Sequence, residues 1–284
     1  FVGAQRGLNR TYAPLYAPLV SNRYGDAMEP FMKPNDIYSK GAVVLHMLRM
    51  KLGDEVFFRG VRNYIDHCKL TCVETDQFRY FLEEASGLSL EQFFTQWCYR
   101  PGLPRLAAEL EWKPGAGDAG ELFVTVDQTQ RIDGANPAYS FTLPIQLKYG
   151  DKGNKIVALD CSAKHNEASF KLDSKPEDVL FDPNMTIAAP TSIKKPLAMW
   201  LKQIDDESVF AQLQAIEHLQ QFDDAAAAAA LARVASDPEE MDLVRSAAAR
   251  EVAGLYRRRL ENLLRLMPRP TETRRAILAQ EVSR

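Results

Sequence analysis

The stretch IYSKGAVVLHMLR, residues 37–49, decides how the first third of the chain folds. Its apolar side chains recur at the three- and four-residue spacing of one helix face. Asp36, directly before it, is a good N-cap, and Gly53, shortly after it, is a good stop because glycine readily adopts the left-handed backbone that ends helices. The stretch therefore predicts a helix that runs from Asp36 to Leu52.

The same signals predict three further helices on the C-terminal side of this stretch. Asp54 can begin the first of them, and Thr75 and Ser89 can cap the other two. Gly87 can end the helix that Thr75 begins. The segment PGLP at residues 101–104 then breaks the chain. Residues 1–104 are therefore predicted to form a mainly helical domain.

From Leu106 onward the hydrophobic period changes to two, which is typical of strands with one buried face. Leu122, Val124 and Val126 show this alternation. Turn-rich stretches such as GDKGN at residues 150–154 separate the alternating segments. Short strands at this spacing predict a small antiparallel β-sandwich over residues 105–190.

Beyond Pro196 the sequence again predicts helices, at residues 207–220, 223–236 and 239–259. The alanine run at residues 225–230 has high helix propensity. Alanine-rich faces let helices pack closely, as in stacked helical repeats. Residues 191–284 are therefore predicted to form an α-helical, HEAT/ARM-like domain. The predicted fold class is multidomain α+β.

Composition excludes several classes of protein. Hydrophobic residues make up 46% and charged residues 26% of the 284 residues, as in ordinary globular proteins. The formal net charge of −3 argues against a general nucleic-acid binder, and no apolar run approaches the roughly 20 residues of a membrane helix. The first residues, FVGAQRG, show neither an initiator methionine nor a signal-peptide pattern, so we expect a piece of a longer protein.

Cysteine and histidine give little support for a metal site in this chain. Cys68 and Cys72 stand close to His67, but a structural zinc site usually needs a second pair of ligands, and none follows. The four histidines stand singly, without the spacing that puts two imidazoles on one helix face. We expect no metal here and free thiols at Cys68 and Cys72. Few cysteines without a disulfide framework also predict a cytoplasmic location.

The sequence of residues 37–104 resembles that of the aminopeptidase N family of zinc metallopeptidases (gluzincins). After YSKG at residues 38–41, the family's order and spacing continue through LGDE, TDQF, LEEASG, FFTQW and PGLP. The resemblance extends more loosely through VDQTQ, FTLP and FDPN, which begin at residues 126, 141 and 181. The whole series covers about half of the chain when the looser part is included.

This resemblance implies that residues 1–104 are the helical second half of a thermolysin-like catalytic domain, joined by a β-sandwich to a helical domain. The family binds its zinc on a His-Glu-x-x-His helix that precedes the Tyr-x-Lys-Gly segment. This chain contains no such motif, so it is expected to be inactive alone. The implied partners are the missing N-terminal part of the same protein and a peptide substrate. The substrate-binding residues stay unidentified.

Tyr38 is the one catalytic residue that the resemblance carries over. It matches the family's tyrosine, whose hydroxyl donates a hydrogen bond to the oxyanion of the tetrahedral intermediate. Without the resemblance, Tyr38 would be interpreted as a packing residue at a helix start. We expect a packed His46, and Lys40 and Arg49 on solvated faces or paired with nearby carboxylates. Phe93, Phe94 and Trp97 are expected in the core.

Three functional hypotheses follow from these patterns. The first is the C-terminal part of a zinc aminopeptidase that removes N-terminal residues from peptides. The second is a non-catalytic scaffold that keeps this architecture without a working metal site. The third is an independent adaptor built from a sandwich and helical repeats, which half a catalytic domain at the start makes less attractive. Tyr38 favours the first hypothesis, because a scaffold has no use for its hydroxyl.

Overall fold

The computed structural model describes residues 18–23, 25, 26, 28 and 37–266 of the chain. The chain divides into two compact units, Phe1–Met199 and Trp200–Arg284. The first unit combines helices and sheets and the second is helical, so the predicted mixed α+β class is confirmed. The finer domain boundaries, after residues 104 and 190, stay a prediction.

Helices occupy most of residues 37–99. They are α1 (Ile37–Leu52), α2 (Asp54–Cys68), α3 (Thr75–Ser86) and α4 (Glu91–Phe94), with a π-helix at Thr95–Tyr99 continuing α4. Gly53 and Gly87 have φ angles of 78° and 69°, as expected of the glycines predicted to stop two helices. The N-cap of α3 is Glu74 rather than Thr75, because the Glu74 side chain and Gln77 form a capping box. Asp36 lies outside the described residues.

Helices α2 and α3 approach each other closely at Gly60. A Cβ atom at this position would lie 2.8 Å from Leu82 Cδ2 and 3.2 Å from the carbonyl oxygen of Phe81. Gly60 does not have a positive φ angle, so backbone conformation does not require glycine at this position. The close packing of the two helices requires it. Leu82 itself is fully buried in this contact. Helix α4 contacts α3 through Phe94, whose ring centre lies 6.3 Å from that of Phe78.

Seven strands follow in the described part of the first unit. They are β1 (Leu106–Pro114), β2 (Gly120–Gln128), β3 (Phe141–Lys148), β4 (Asn154–Cys161), β5 (His165–Leu172), β6 (Asp178–Phe181) and β7 (Thr191–Lys194). One sheet has the strand order β5-β2-β1-β7 and the other has the order β4-β3-β6. All pairs are antiparallel except β1–β7, which is parallel, so the prediction of a purely antiparallel arrangement is wrong at that edge. The reason is that β7 arrives by a long connection from the other sheet, not by a hairpin.

The predicted two-residue period is visible in the burial of the strands. On β2 the side chains of Leu122, Val124 and Val126 are buried, and on β3 those of Leu143 and Ile145 are buried, with more exposed residues between them. Each sheet therefore has one apolar face that requires a cover. Their arrangement as a face-to-face sandwich stays a prediction.

The described part of the second unit, which ends at residue 266, is built from helices. The short helix α5 (Leu197–Gln203) crosses the division between the units and precedes α6 (Val209–Leu219), α7 (Ala225–Ser236) and α8 (Asp242–Leu266). Asp224 begins α7, because its carboxylate accepts hydrogen bonds from two backbone amides of the alanine run. The HEAT/ARM-like arrangement stays a prediction. Within the described helices, none has the length and apolar character to cross a bilayer.

Candidate functional site

Tyr38 lies in the first turn of α1, at its second residue. Its side chain is 74% exposed, so the phenol faces outward from the helical segment and not into the core. A phenol hydroxyl can donate one hydrogen bond without carrying a charge. The catalytic and the packing interpretation of Tyr38 both stay predictions.

Lys40, two residues after Tyr38, lies in a different environment from the one that the sequence predicts. It is only 2% exposed, and its ammonium donates hydrogen bonds to the carbonyl oxygens of Arg100 at 3.4 Å and Gly102 at 3.2 Å. Burial lowers the pKa of Lys40 to about 8. The prediction that Lys40 lies on a solvated face or pairs with a nearby carboxylate is wrong, because its partners are backbone oxygens about sixty residues away that leave no pattern in the sequence. Arg49, in contrast, pairs with Asp54 through two hydrogen bonds, as expected.

The segment that accepts from Lys40 is itself fixed to the sheets. The guanidinium of Arg100 lies 4.1 Å from the ring centre of Tyr139 and donates a hydrogen bond to Pro137 O. Tyr139 is buried, and its backbone N–H and carbonyl both bind the side-chain amide of Gln128, at 2.8 and 2.7 Å. Gln128 is completely buried at the end of β2. A continuous set of contacts therefore runs from β2 to the first turn of α1.

Two further contacts join the helices to the sheets. The Gln96 amide donates to Ser140 O at 2.7 Å and accepts from Ser140 N at 3.1 Å. His46 Nε2 lies 2.8 Å from Asn184 O, so this nitrogen donates, and the geometry agrees with a structural role for His46. Trp97 is buried, as predicted, and its ring centre lies 5.0 Å from that of Tyr139. These contacts fix the helical segment against the sheet segment.

A pocket of about 360 Å³ opens at the other end of α1 from Tyr38. Its floor is apolar and includes Met47, Phe93 and Trp97, while Lys51 and Gln92 lie at its edge. The described residues that line it include no histidine, cysteine or carboxylate. This lining therefore offers none of the side chains that usually bind a catalytic metal.

The described residues do not fit a zinc ion. Among residues 37–266 and the short described segments before them, no group of three or more His, Cys, Asp or Glu side chains is close enough to hold a metal. Cys68 is buried, Cys72 is exposed, and His67 Nδ1 is engaged with Asn63 O at 2.8 Å. No catalytic step through a metal can therefore be derived from these residues.

The burial of the cysteines predicts which thiols react. All four are free; Cys72 is exposed, and burial raises the pKa of Cys98 and of Cys161 to about 12. With Ellman's reagent at pH 8, we expect rapid modification of Cys72 alone and release of the other thiols only after denaturation. Cys72→Ser should remove the fast phase. A fast phase that persists in this variant would contradict the assigned burial.

Comparisons with known proteins show that parts of this chain are similar to aminopeptidases. Residues 19–97 match the peptidase family M1 domain. "Probable aminopeptidase 1" of Sulfurisphaera tokodaii is 34% identical over 135 residues, which is 48% of this chain and 16% of the relative. Aminopeptidase N of Lactococcus lactis is 35% identical over 74 residues, which is 26% of this chain and 9% of the relative.

A solved structure extends the similarity beyond the matched domain. Aminopeptidase A of Legionella pneumophila, solved in complex with aspartic acid, covers 85% of this chain with a TM-score of 0.64. The sequence identity is 12%, so this likeness concerns the fold alone. The chain spans 29% of that protein and 16% or less of the two curated relatives named above.

Proposed function

Because the chain is a member of the M1 aminopeptidase family, we propose that it supplies the C-terminal part of an aminopeptidase that removes N-terminal residues from peptides. The observation that carries the proposal is Tyr38: an exposed phenol in the first turn of a helix, within the segment that matches the M1 domain. In this proposal, residues 1–104 complete a thermolysin-like catalytic domain. Residues 105–190 form a β-sandwich and residues 191–284 a HEAT/ARM-like domain.

Tyr38 would act on the charge that develops during peptide hydrolysis. When water adds to the scissile carbonyl, the carbonyl oxygen becomes an oxyanion, and a hydrogen-bond donor placed there lowers the barrier. A neutral phenol donates one hydrogen bond without adding a positive charge that would compete with a metal. The M1 family is zinc-dependent, and in this proposal the zinc ligands come from residues that precede Phe1 in a longer protein.

The coding sequence upstream of Phe1 provides the first test. The proposal requires an in-frame His-Glu-x-x-His motif followed by a further glutamate ligand, since that arrangement holds the zinc of this family. An upstream domain in which those ligands are replaced would instead support the non-catalytic scaffold. Tyr38 would then be a remnant with no catalytic role.

The second test compares two proteins, the 284-residue chain and a chain extended to include the upstream M1 residues. The shorter protein is expected to retain only substoichiometric zinc after dialysis and to release no p-nitroaniline from a panel of aminoacyl p-nitroanilides. The extended protein is expected to bind one zinc ion and to hydrolyse members of the panel. Hydrolysis by the 284-residue chain, or stoichiometric zinc in it, would overturn the proposed division of labour.

A further inference from the structure

Lys40 is a buried cation that the proposed chemistry does not use. Its side chain is 2% exposed, and the described contacts of its ammonium are two carbonyl oxygens, those of Arg100 and Gly102. A buried ammonium is costly unless polar partners replace its water, and the two carbonyl oxygens are such partners. Cys98 interacts electrostatically with Lys40, and burial raises the pKa of its thiol to about 12, so this thiol is neutral.

The helix geometry relates this cation to Tyr38. The two residues are two positions apart in the first turn of α1, about 3 Å along the helix axis and on opposite faces. Tyr38 therefore faces outward while Lys40 faces the core. The first turn of a helix lacks part of its backbone hydrogen bonds and tends to fray. An anchor on the inner face of this turn restrains the backbone that carries the phenol.

The segment that accepts hydrogen bonds from Lys40 is held by contacts with the sheet segment. Arg100 lies over the buried ring of Tyr139, whose backbone is held on both sides by the completely buried Gln128. The carbonyl oxygens that accept from Lys40 are thus fixed by the sheet segment and not by the helix that they restrain. Contacts of this kind can transmit position from β2 to α1.

We propose that Lys40 is a positioning residue for Tyr38, and that the sheet segment sets the place of the phenol through the backbone of residues 100–102. The inference rests on the proposed function of Tyr38. An oxyanion donor works only when it is held close to the position of the developing charge, within a few tenths of an ångström. Lys40 supplies this restraint without touching the substrate.

Kinetics in the extended, zinc-loaded protein test the proposal. Lys40→Met keeps the length of the side chain and removes the ammonium, and Lys51→Met makes the same change at an exposed site in the last turn of α1. We expect Lys40→Met to lower kcat by about 10- to 100-fold with little change in KM, since a displacement of about 1 Å has effects of this size. Lys51→Met should leave both constants unchanged.

A double-mutant cycle separates positioning from a merely structural role. If Lys40 acts through the phenol, Lys40→Met should not lower the kcat of the Tyr38→Phe protein further. A second cycle combines Arg100→Leu with Tyr38→Phe. Arg100→Leu keeps the backbone acceptor of Lys40 but loses the contact with Tyr139. It should lower the kcat of the wild-type protein but not that of the Tyr38→Phe protein. Additive losses in both cycles, or normal kcat in both single variants, would overturn the proposal.

A third measurement on the 284-residue chain is independent of catalysis. Amide hydrogen exchange at Gly41–Val44 reports how often the start of α1 opens. Lys40→Met should accelerate exchange at these amides at least tenfold, and Lys51→Met should not. Unchanged exchange would contradict the anchor. Accelerated exchange together with a fully active Tyr38→Phe protein would instead keep the anchor and reject the proposed role of Tyr38.

Discussion

Tyr38→Phe in the zinc-loaded protein with a complete M1 domain is expected to lower kcat at least tenfold, and by about 10²–10³ if its hydroxyl behaves like other oxyanion donors. The variant loses one hydroxyl and keeps the ring. Because the wild-type side chain is 74% exposed, the free energy of unfolding should change little. Steady-state kinetics on aminoacyl p-nitroanilides, together with a thermal melt, measure both effects.

Tyr80→Phe is a suitable control for this experiment. Tyr80 lies on α3, is about half exposed, and packs edge-on against Phe81. Removing its hydroxyl should leave kcat and KM at their wild-type values. Near-normal turnover of Tyr38→Phe would show that the phenol does not act on the transition state, and the catalytic assignment of Tyr38 would have to be abandoned.

The largest loss of stability is expected for Trp97→Ala. The indole is 1% exposed and lies between Tyr139 and Phe93, with ring centres 5.0 and 6.4 Å away. Truncation of a buried aromatic side chain typically costs about 3–5 kcal/mol, because the transfer free energy is lost and a cavity remains. Urea denaturation followed by circular dichroism should therefore show an earlier transition for the unit Phe1–Met199.

Trp112→Ala is the matched control, since Trp112 is only partly buried on β1 and packs over Gly120 beside the turn that joins β1 to β2. Its loss of stability should be clearly smaller than that of Trp97→Ala. The transitions have to be fitted separately, because a chain with two compact units need not unfold in one step. A loss below about 1 kcal/mol at Trp97 would mean that the site collapses around the cavity.

The sequence predicts which helices and strands form better than it predicts which strands pair with each other. Gly53 and Gly87 mark helix ends because the left-handed backbone that they adopt favours glycine. The alternation on β2 predicts a strand because its side chains face opposite sides of a sheet. The parallel pairing of β7 with β1 has no such local cause, because it depends on how a long connection returns to the sheet.

The candidate site shows the same limit. The assignment of Tyr38 rests on the motif around it and not on any property of tyrosine, and its catalytic role stays a prediction. Lys40 lies in the same motif, but the sequence does not predict its burial. The carbonyl oxygens that make this burial possible are about sixty residues away. Gln96 and Gln128 lie within FFTQW and VDQTQ, two segments that carry the family resemblance, but nothing in the sequence predicts that their buried amides bind main-chain atoms.

The contacts between helices and sheets join side chains on one side to main-chain atoms on the other, and this affects which residues can be substituted during evolution. Side chains on the helical segment bind main-chain atoms on the other side: Lys40 binds Arg100 and Gly102, Gln96 binds Ser140, and His46 binds Asn184. A substitution on the accepting side replaces a side chain but leaves the main-chain oxygen where it was. The accepting segment can therefore accumulate substitutions without losing its attachment, while the donating helices cannot.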